Sequence, residues 1–363
     1  MKQSATSSTV LGCHFIDAGF TDSGVRDTRF TETALTNTPF ANTLYFNTRK
    51  AAEVESVLIM LIYTHQNCIE HEVPQGHPER PDRLIHLLQH LKDTGVTDDF
   101  PLIPAPKISS AQVDIAHDLH YFSSLEAKSP HEGLEALDPD TWMSSLSLAA
   151  AEHAAGAVWQ GVNDVISERD SRVFCAVRPP GHHAEISSPM GFCLLNSVAI
   201  AAINALEIPS IHKVAILDFD VHHGNGTVDL CKDNPNILVC SSFQHPFYPG
   251  RFHDLERPNI VNTPLPSGTV GNAFRQAIAR DWWPAIHHHQ PDLILLSAGF
   301  DGHQADPLAQ LQLVEDDYYW ITQEIVALAK QYSKGRVVSA LEGGYDLQAL
   351  GTSVVAHLEA LKG

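Results

Sequence analysis

The sequence predicts a three-layer α/β fold around a central, mostly parallel sheet, and three observations predict it. Short apolar runs, each about the length of a buried strand, recur at 57–63, 172–177, 213–219, 237–242, 292–298 and 336–341. Between them lie segments of helical period, among them 81–93, 145–168, 193–206, 273–287 and 315–331. The punctuation agrees: Pro81 opens one helical pattern and Gly95 stands just past its end. Strands alternating with helices make βαβ units, which demand a parallel sheet with helices on both faces.

Along the chain, residues 1 to 53 differ from the rest. They are rich in Thr, Ser and Asn without sustained periodicity, so they are expected to be disordered or loosely attached. The first convincing apolar run is 57–63, inside which Met60 offers an alternative translation start. One domain is expected from 54 to 363, since a chain of 363 residues buries a large core without having to divide. No internal repeat interrupts it. Cys13, Cys68, Cys175, Cys193, Cys231 and Cys240 form no CxxC pair, and three of them lie in apolar runs as small hydrophobes; a reduced, cytoplasmic setting follows. No signal peptide opens the sequence and no apolar run reaches membrane-spanning length, so no membrane partner is expected. The formal charge of −20 argues against a nucleic-acid partner, which needs a basic face. The 22 histidines exceed what solubility requires, and their position is informative.

They gather where strands end. In open α/β sheets, ligands bind just beyond the carboxyl ends of the strands. "VFCAVRPPGHHAE" ends in His182 and His183, and "VAILDFDVHHGNGT" carries Asp218, Asp220, His222 and His223. "LILLSAGFDGHQADP" carries Asp301, and "VVSALEGGYDL" carries Glu342, two glycines and Tyr345. Alternation along a strand puts Asp220 and His222 on one side, so carboxylate and imidazole converge. With Asp301 from another strand end they make three ligands with an open position, the arrangement of a catalytic zinc. A lone Asp-x-His is more often a loop cap; the second aspartate and the histidine pair reverse that judgement. Water activated by a metal needs a base, and a leaving amine needs an acid. His182 and His183, held on a rigid Arg-Pro-Pro-Gly turn, suit these tasks if their surroundings differ. Asp218 and Asn225 are their natural partners: a carboxylate favours the imidazolium, whereas a neutral amide leaves the ring titratable near neutrality. Tyr345, after two glycines that let backbone approach a ligand, can donate to an oxyanion.

Together "GHPERPDRL", "RPPGHHAE", "GFCLLNSVAIAA", "DFDVHHGNGT", "SAGFDGHQADPL" and "LEGGYDL" resemble the zinc-dependent histone deacetylase and acetylpolyamine amidohydrolase family, over roughly residues 58 to 360. The asparagine of "HHGNGT" resembles the class II branch and its bacterial relatives. The resemblance implies an arginase/deacetylase fold and removal of acetyl or acyl groups from lysine side chains of a protein or peptide. It implies Asp220, His222 and Asp301 as ligands of one zinc, with His183 as base and then acid. His182, paired with Asp218, would act electrostatically, and Tyr345 would donate to the oxyanion. Phe192 and Tyr248 would wall a narrow channel for the acyl-lysine stem, with Gly191, Leu308 and Gly344 also against substrate. Many relatives have Phe where Tyr248 stands, which makes the lip here more polar. A structural potassium is implied near Asp218, Asp220, His222, Ser241 and Ser242, and a second monovalent ion at the carbonyls of Cys231, Asn234 and Ile237. Arg83 matches a residue lining an internal exit channel for acetate. Polyamine-selective members place a carboxylate where Leu308 follows Asp306 and Pro307, so peptides are favoured over acetylpolyamines here. Two rivals remain: a two-metal ureohydrolase, which needs more carboxylates beside the Asp-x-His, and a non-catalytic acetyl-lysine reader, which has no use for Tyr345.

Overall fold

The computed structural model describes residues 60–167 and 172–363; the expectation for residues 1 to 53 lies outside them. Among the described residues ten strands form: β1 (Leu61–Thr64), β2 (Leu102–Pro104), β3 (Glu135–Ala136), β4 (Trp142–Met143), β5 (Arg172–Cys175), β6 (Val214–Asp218), β7 (Ile237–Gln244), β8 (Ile260–Leu265), β9 (Leu293–Ala298) and β10 (Val337–Leu341). β3 and β4 make a small antiparallel pair. The other eight form one sheet in the order β2-β1-β5-β10-β9-β6-β7-β8, parallel at every pairing.

All six expected strands are present among the described residues, and positions 57–59 of the first lie outside them. β1, β5, β6, β7, β9 and β10 are buried at every position, so both faces of the sheet are covered. The two strands that the apolar runs did not reveal, β2 and β8, are the sheet's edges, and each carries a proline. Edge strands tolerate proline and polar side chains, so they lack the continuous apolar signature.

The expected helices are found at Asp82–Asp93, Ser147–Ile166, Ser197–Ala205, Gly271–His289 and Glu315–Tyr332. Gly95 adopts the left-handed φ of 78° just after the first of them, as its position implied. A long closing helix, Leu347–Lys362, was not foreseen. Its His357 bonds Thr322 through Nδ1 (2.7 Å) and Ser339 through Nε2 (2.9 Å), tying two helices to β10. No helix among the described residues is long and apolar enough to cross a membrane. Cys68, Cys175, Cys193, Cys231 and Cys240 are buried and unpaired.

Burial lowers the pKa of His357 to about 3 and that of His117 to about 4, against 6.5 for a free imidazole. Both rings are therefore neutral in the fold. A depressed folded value contributes stability that is present in full above pH 6.5 and is lost as pH falls toward those values. The urea midpoint is expected to drop between pH 7 and pH 4.5, with a smaller drop in His357→Gln. A midpoint that rises on acidification contradicts this.

The sheet order has one consequence for function. β5, β10, β9 and β6 are four consecutive neighbours, and parallel pairing puts all their carboxyl ends on one edge. The four chemically unusual loops therefore meet.

Candidate active site

Past Asp218, the last residue of β6, the chain crosses that edge. Phe219 and Val221 belong to the apolar core, which leaves Asp218, Asp220 and His222 for the opposite side. Ligand atoms of Asp220, His222 and Asp301 all lie within 4.8 Å of one another, the single such trio among the described residues. His222 Nδ1 stands 3.0 Å from Asp220 Oδ1 and 3.1 Å from Asp301 Oδ2. Backbone N–H groups anchor the carboxylates: Gly343 donates to Asp220 Oδ2 (2.8 Å) and Val221 to Asp301 Oδ1 (2.9 Å). Apart from His222 Nδ1, the fully buried Asp301 Oδ2 has no polar partner. The neighbouring backbone is glycine by necessity. A Cβ on Gly343 would sit 2.1 Å from Asp301 Oδ2, and one on Gly299 would sit 2.0 Å from Asp220 Oδ2.

Electrostatics point the same way. Burial, then the Asp220 charge, pushes the Asp301 carboxyl up to about 7. Burial would lower His222, yet Asp220 and Asp301 outweigh it and raise its pKa to about 10. Two buried carboxylates and an imidazole that converge on one spot form a donor set that fits a divalent transition metal such as zinc.

The tandem histidines sit on the turn after β5, which is bound to the loop after β10. Gly181 N and His182 N both donate to Glu342 Oε2, at 2.6 and 3.2 Å, and Ser297 Oγ donates to Oε1 at 3.1 Å. His182 Nδ1 lies 3.0 Å from Asp218 Oδ2, while His183 Nδ1 lies 2.6 Å from Asn225 Oδ1. The two environments differ as expected. Burial opposes charge on His182, but Asp218 and Asp220 prevail and raise its pKa to about 10. Burial, then the His182 and His222 charges, drive His183 well below the ordinary imidazole value. An imidazolium thus stands beside a neutral imidazole.

Tyr345 is held on three sides. Asp306 Oδ2 accepts its backbone N–H at 2.7 Å. Arg83 lies under its ring, 4.7 Å from the centroid, and donates to Gly344 O and Glu342 O at 2.6 Å each. Burial raises the phenol's pKa well above 10 against the pull of Arg83, so the hydroxyl keeps its proton.

His182, His183, His222 and Tyr345 open onto one cavity, also lined by Asp140, Pro180, Gly191, Phe192, Tyr248, Leu308 and Gly343. Gly191, Phe192, Tyr248 and Leu308 are where the sequence placed them. Gly344 is not on the wall; its neighbour Gly343 is. Arg83, expected along an internal exit channel, is fully buried behind Tyr345, where it clamps the loop after β10. Phe192 has a φ of 69°, an uncommon conformation for a bulky residue, and Thr141 Oγ1 accepts its backbone N–H at 3.0 Å. Asp140 was missed. It lies between β3 and β4, away from the main sheet's strand ends, in an Asp-Pro-Asp stretch that reads as an ordinary turn. Asp138 Oδ1 caps that turn, accepting from the backbone N–H of Asp140 and Thr141 at 2.9 and 2.6 Å.

Asp218 and Ser241 are register partners across β6 and β7, with Ser242 next in line. Asp218 Oδ1 accepts from Asp220 N (3.1 Å) and Ser241 Oγ from Gly224 N (3.3 Å). The second expected set needs correction. The carbonyls of Cys231, Asn234 and Ile237 do converge, but on the side-chain nitrogen of Asn259, 3.0 Å from each. An amide donor stands where the ion was expected.

The histone deacetylase domain model matches residues 77–361. An uncharacterized protein of Synechocystis sp. is 39% identical over 310 residues, covering 84% of this chain and 99% of its own. Histone deacetylase 14, chloroplastic, of Arabidopsis thaliana is 36% identical, covering 84% of this chain and 77% of its own. The crystal structure of the HDA15 HD domain superposes with a TM-score of 0.79 at 31% identity, over 85% of this chain and 89% of that one. The family match, the relatives and the superposition agree with one another: the chain belongs to the histone deacetylase family.

Proposed function

We propose that the chain is a zinc-dependent amidohydrolase that removes acetyl or longer acyl groups from lysine side chains of proteins or peptides. One observation carries the reading: an Asp220–His222–Asp301 trio whose His222 lines the same cavity as His183, Tyr345, Phe192 and Tyr248. Held by that trio, zinc supplies Lewis acidity toward the amide carbonyl and the attacking water. His183, neutral, takes the water's proton at Nε2 and returns it to the departing amine nitrogen as the C–N bond breaks. Water and amide become carboxylate and ammonium, the second proton of the water also ending on the amine, and His183 ends as it began. The fixed imidazolium of His182 and the Tyr345 hydroxyl stabilise charge that develops on the carbonyl oxygen. Phe192 and Tyr248 flank the acyl-lysine stem and exclude water. The Asp218–Ser241 corner is our candidate for a structural potassium, and residues 54–363 for one catalytic domain.

Leu308 at the wall favours peptides, since a second ammonium there meets an apolar side chain, whereas uncharged peptide backbone does not suffer. Asp140 supports a second reading, because a carboxylate lining the same cavity offers a polyamine a counter-charge. We expect a higher kcat/KM for an acetyl-lysine peptide than for an acetylated spermidine, and Leu308→Glu to shift the ratio toward the polyamine. A clear advantage for the polyamine in the wild type selects the second reading.

A further inference from the structure

Behind His183 lies a chain of contacts that ends at the surface. The first link is Asn225, whose Oδ1 faces His183 Nδ1 at 2.6 Å. Its Nδ2 is surrounded by acceptors: Glu185 Oε1 at 2.7 Å, Met190 Sδ at 3.2 Å and His183 O at 3.4 Å. An amide oxygen in that place would face three acceptors and receive nothing. The orientation is therefore determined by chemistry, with nitrogen toward Glu185 and oxygen toward His183. That oxygen can only accept, so His183 Nδ1 carries the hydrogen and Nε2 keeps the lone pair.

Glu185 is the strongest of the three acceptors, and it is 5% exposed. Its second oxygen, Oε2, lies 3.0 Å from the half-exposed Arg251 guanidinium. An ionised carboxylate presents no donor on either side. We propose that Glu185 is a positioning residue that sets the His183 tautomer through Asn225, with Arg251 holding the carboxylate from the solvent side. The proposal rests on the reading of His183 as the base that works through Nε2.

The chemistry of one substitution separates this from a packing role. In Glu185→Gln the Arg251 guanidinium still needs an oxygen, which turns the new NH2 toward Asn225. Two NH2 groups then face each other, and Asn225 relieves the conflict by flipping. Its Nδ2 now meets His183 Nδ1, which must accept, and the ring hydrogen moves to Nε2. The proton acceptor aimed at the cavity is lost, while the shape of the site is kept. Glu185→Asp keeps an acceptor-only group and so restores the native tautomer.

The test is nitrogen-15 NMR of the histidine side chains in the zinc-loaded full chain without substrate, beside steady-state kinetics. The His183 signals are those missing from His183→Ala. The wild type is expected to show a protonated Nδ1 and a lone-pair Nε2, and Glu185→Gln the reverse or a mixture. Its kcat is expected to fall about ten- to a hundredfold, the usual cost of losing the partner that orients a site histidine, with KM within about twofold. Glu185→Asp should recover most of both, and it carries the test if the glutamine variant does not fold. An unchanged His183 tautomer in Glu185→Gln overturns the proposal, as does an equal loss in both variants. A wild type inactive on every acyl-lysine substrate but with the expected tautomers would sink the functional reading and leave this one standing.

Discussion

Asp301→Ala is expected to lose the metal and with it all measurable turnover. Asp301 supplies one of three converging donor groups, and its buried Oδ2 has no polar partner outside the trio. Removing it leaves Asp220 and His222, two ligands from one loop, with no third to close the set. Losing a residue that merely orients a ligand typically costs about ten- to a hundredfold. Losing the ligand itself should exceed that, so turnover should fall by more than about a hundredfold. Metal analysis after gel filtration checks the first part, and it is independent of any choice of substrate. Near-stoichiometric zinc in the variant would remove Asp301 from the site. The melting temperature should fall too, because an ion that binds only the folded chain stabilises it by mass action.

His183→Ala and Tyr345→Phe are expected to be nearly as damaging while keeping the metal. In the proposed reaction both proton transfers pass through His183, and general acid–base catalysis contributes about a hundred- to ten-thousandfold. Tyr345→Phe removes a single hydroxyl from a ring that Arg83 and Asp306 hold in place, so the site should keep its shape. Loss of one oxyanion donor typically costs about a hundredfold or more in kcat. KM should move little in either variant, since the lost interactions belong to the transition state. Zinc content should stay near wild type, which separates these effects from the loss in Asp301→Ala. Near-normal turnover in either variant would falsify the role given to that residue.

Much of this was legible because the chemistry sits at the ends of central strands. A strand buried on both faces writes a continuous apolar run, so β5, β6, β9 and β10 announced themselves, and the ionisable groups just past them stood out. The edge strands β2 and β8 did not, because their prolines and polar positions look like loop. Asp140 escaped for a related reason: it comes from a loop between two-residue strands, where no periodicity marks a site. Residues that act through others were harder still. Nothing in "GHHAE" says that Glu185 meets Asn225 forty positions later, since that contact exists only once two loops fold together. Asn259 shows the opposite case, in which a motif implied an ion and a side chain far along the chain took its place.

The rival two-metal reading needs ligands beyond the trio, and the neighbouring His182 and Asp218, the former 3.8 Å from Asp220 Oδ1 through Nε2, are engaged with each other. Protein stripped with a chelator and titrated with zinc, with turnover of an acetyl-lysine peptide followed at each addition, tests the central claim most directly. A single zinc site at Asp220, His222 and Asp301 predicts no turnover at the start, a linear rise and a break at one equivalent. Full turnover in the stripped protein, or a break at two equivalents, would contradict it.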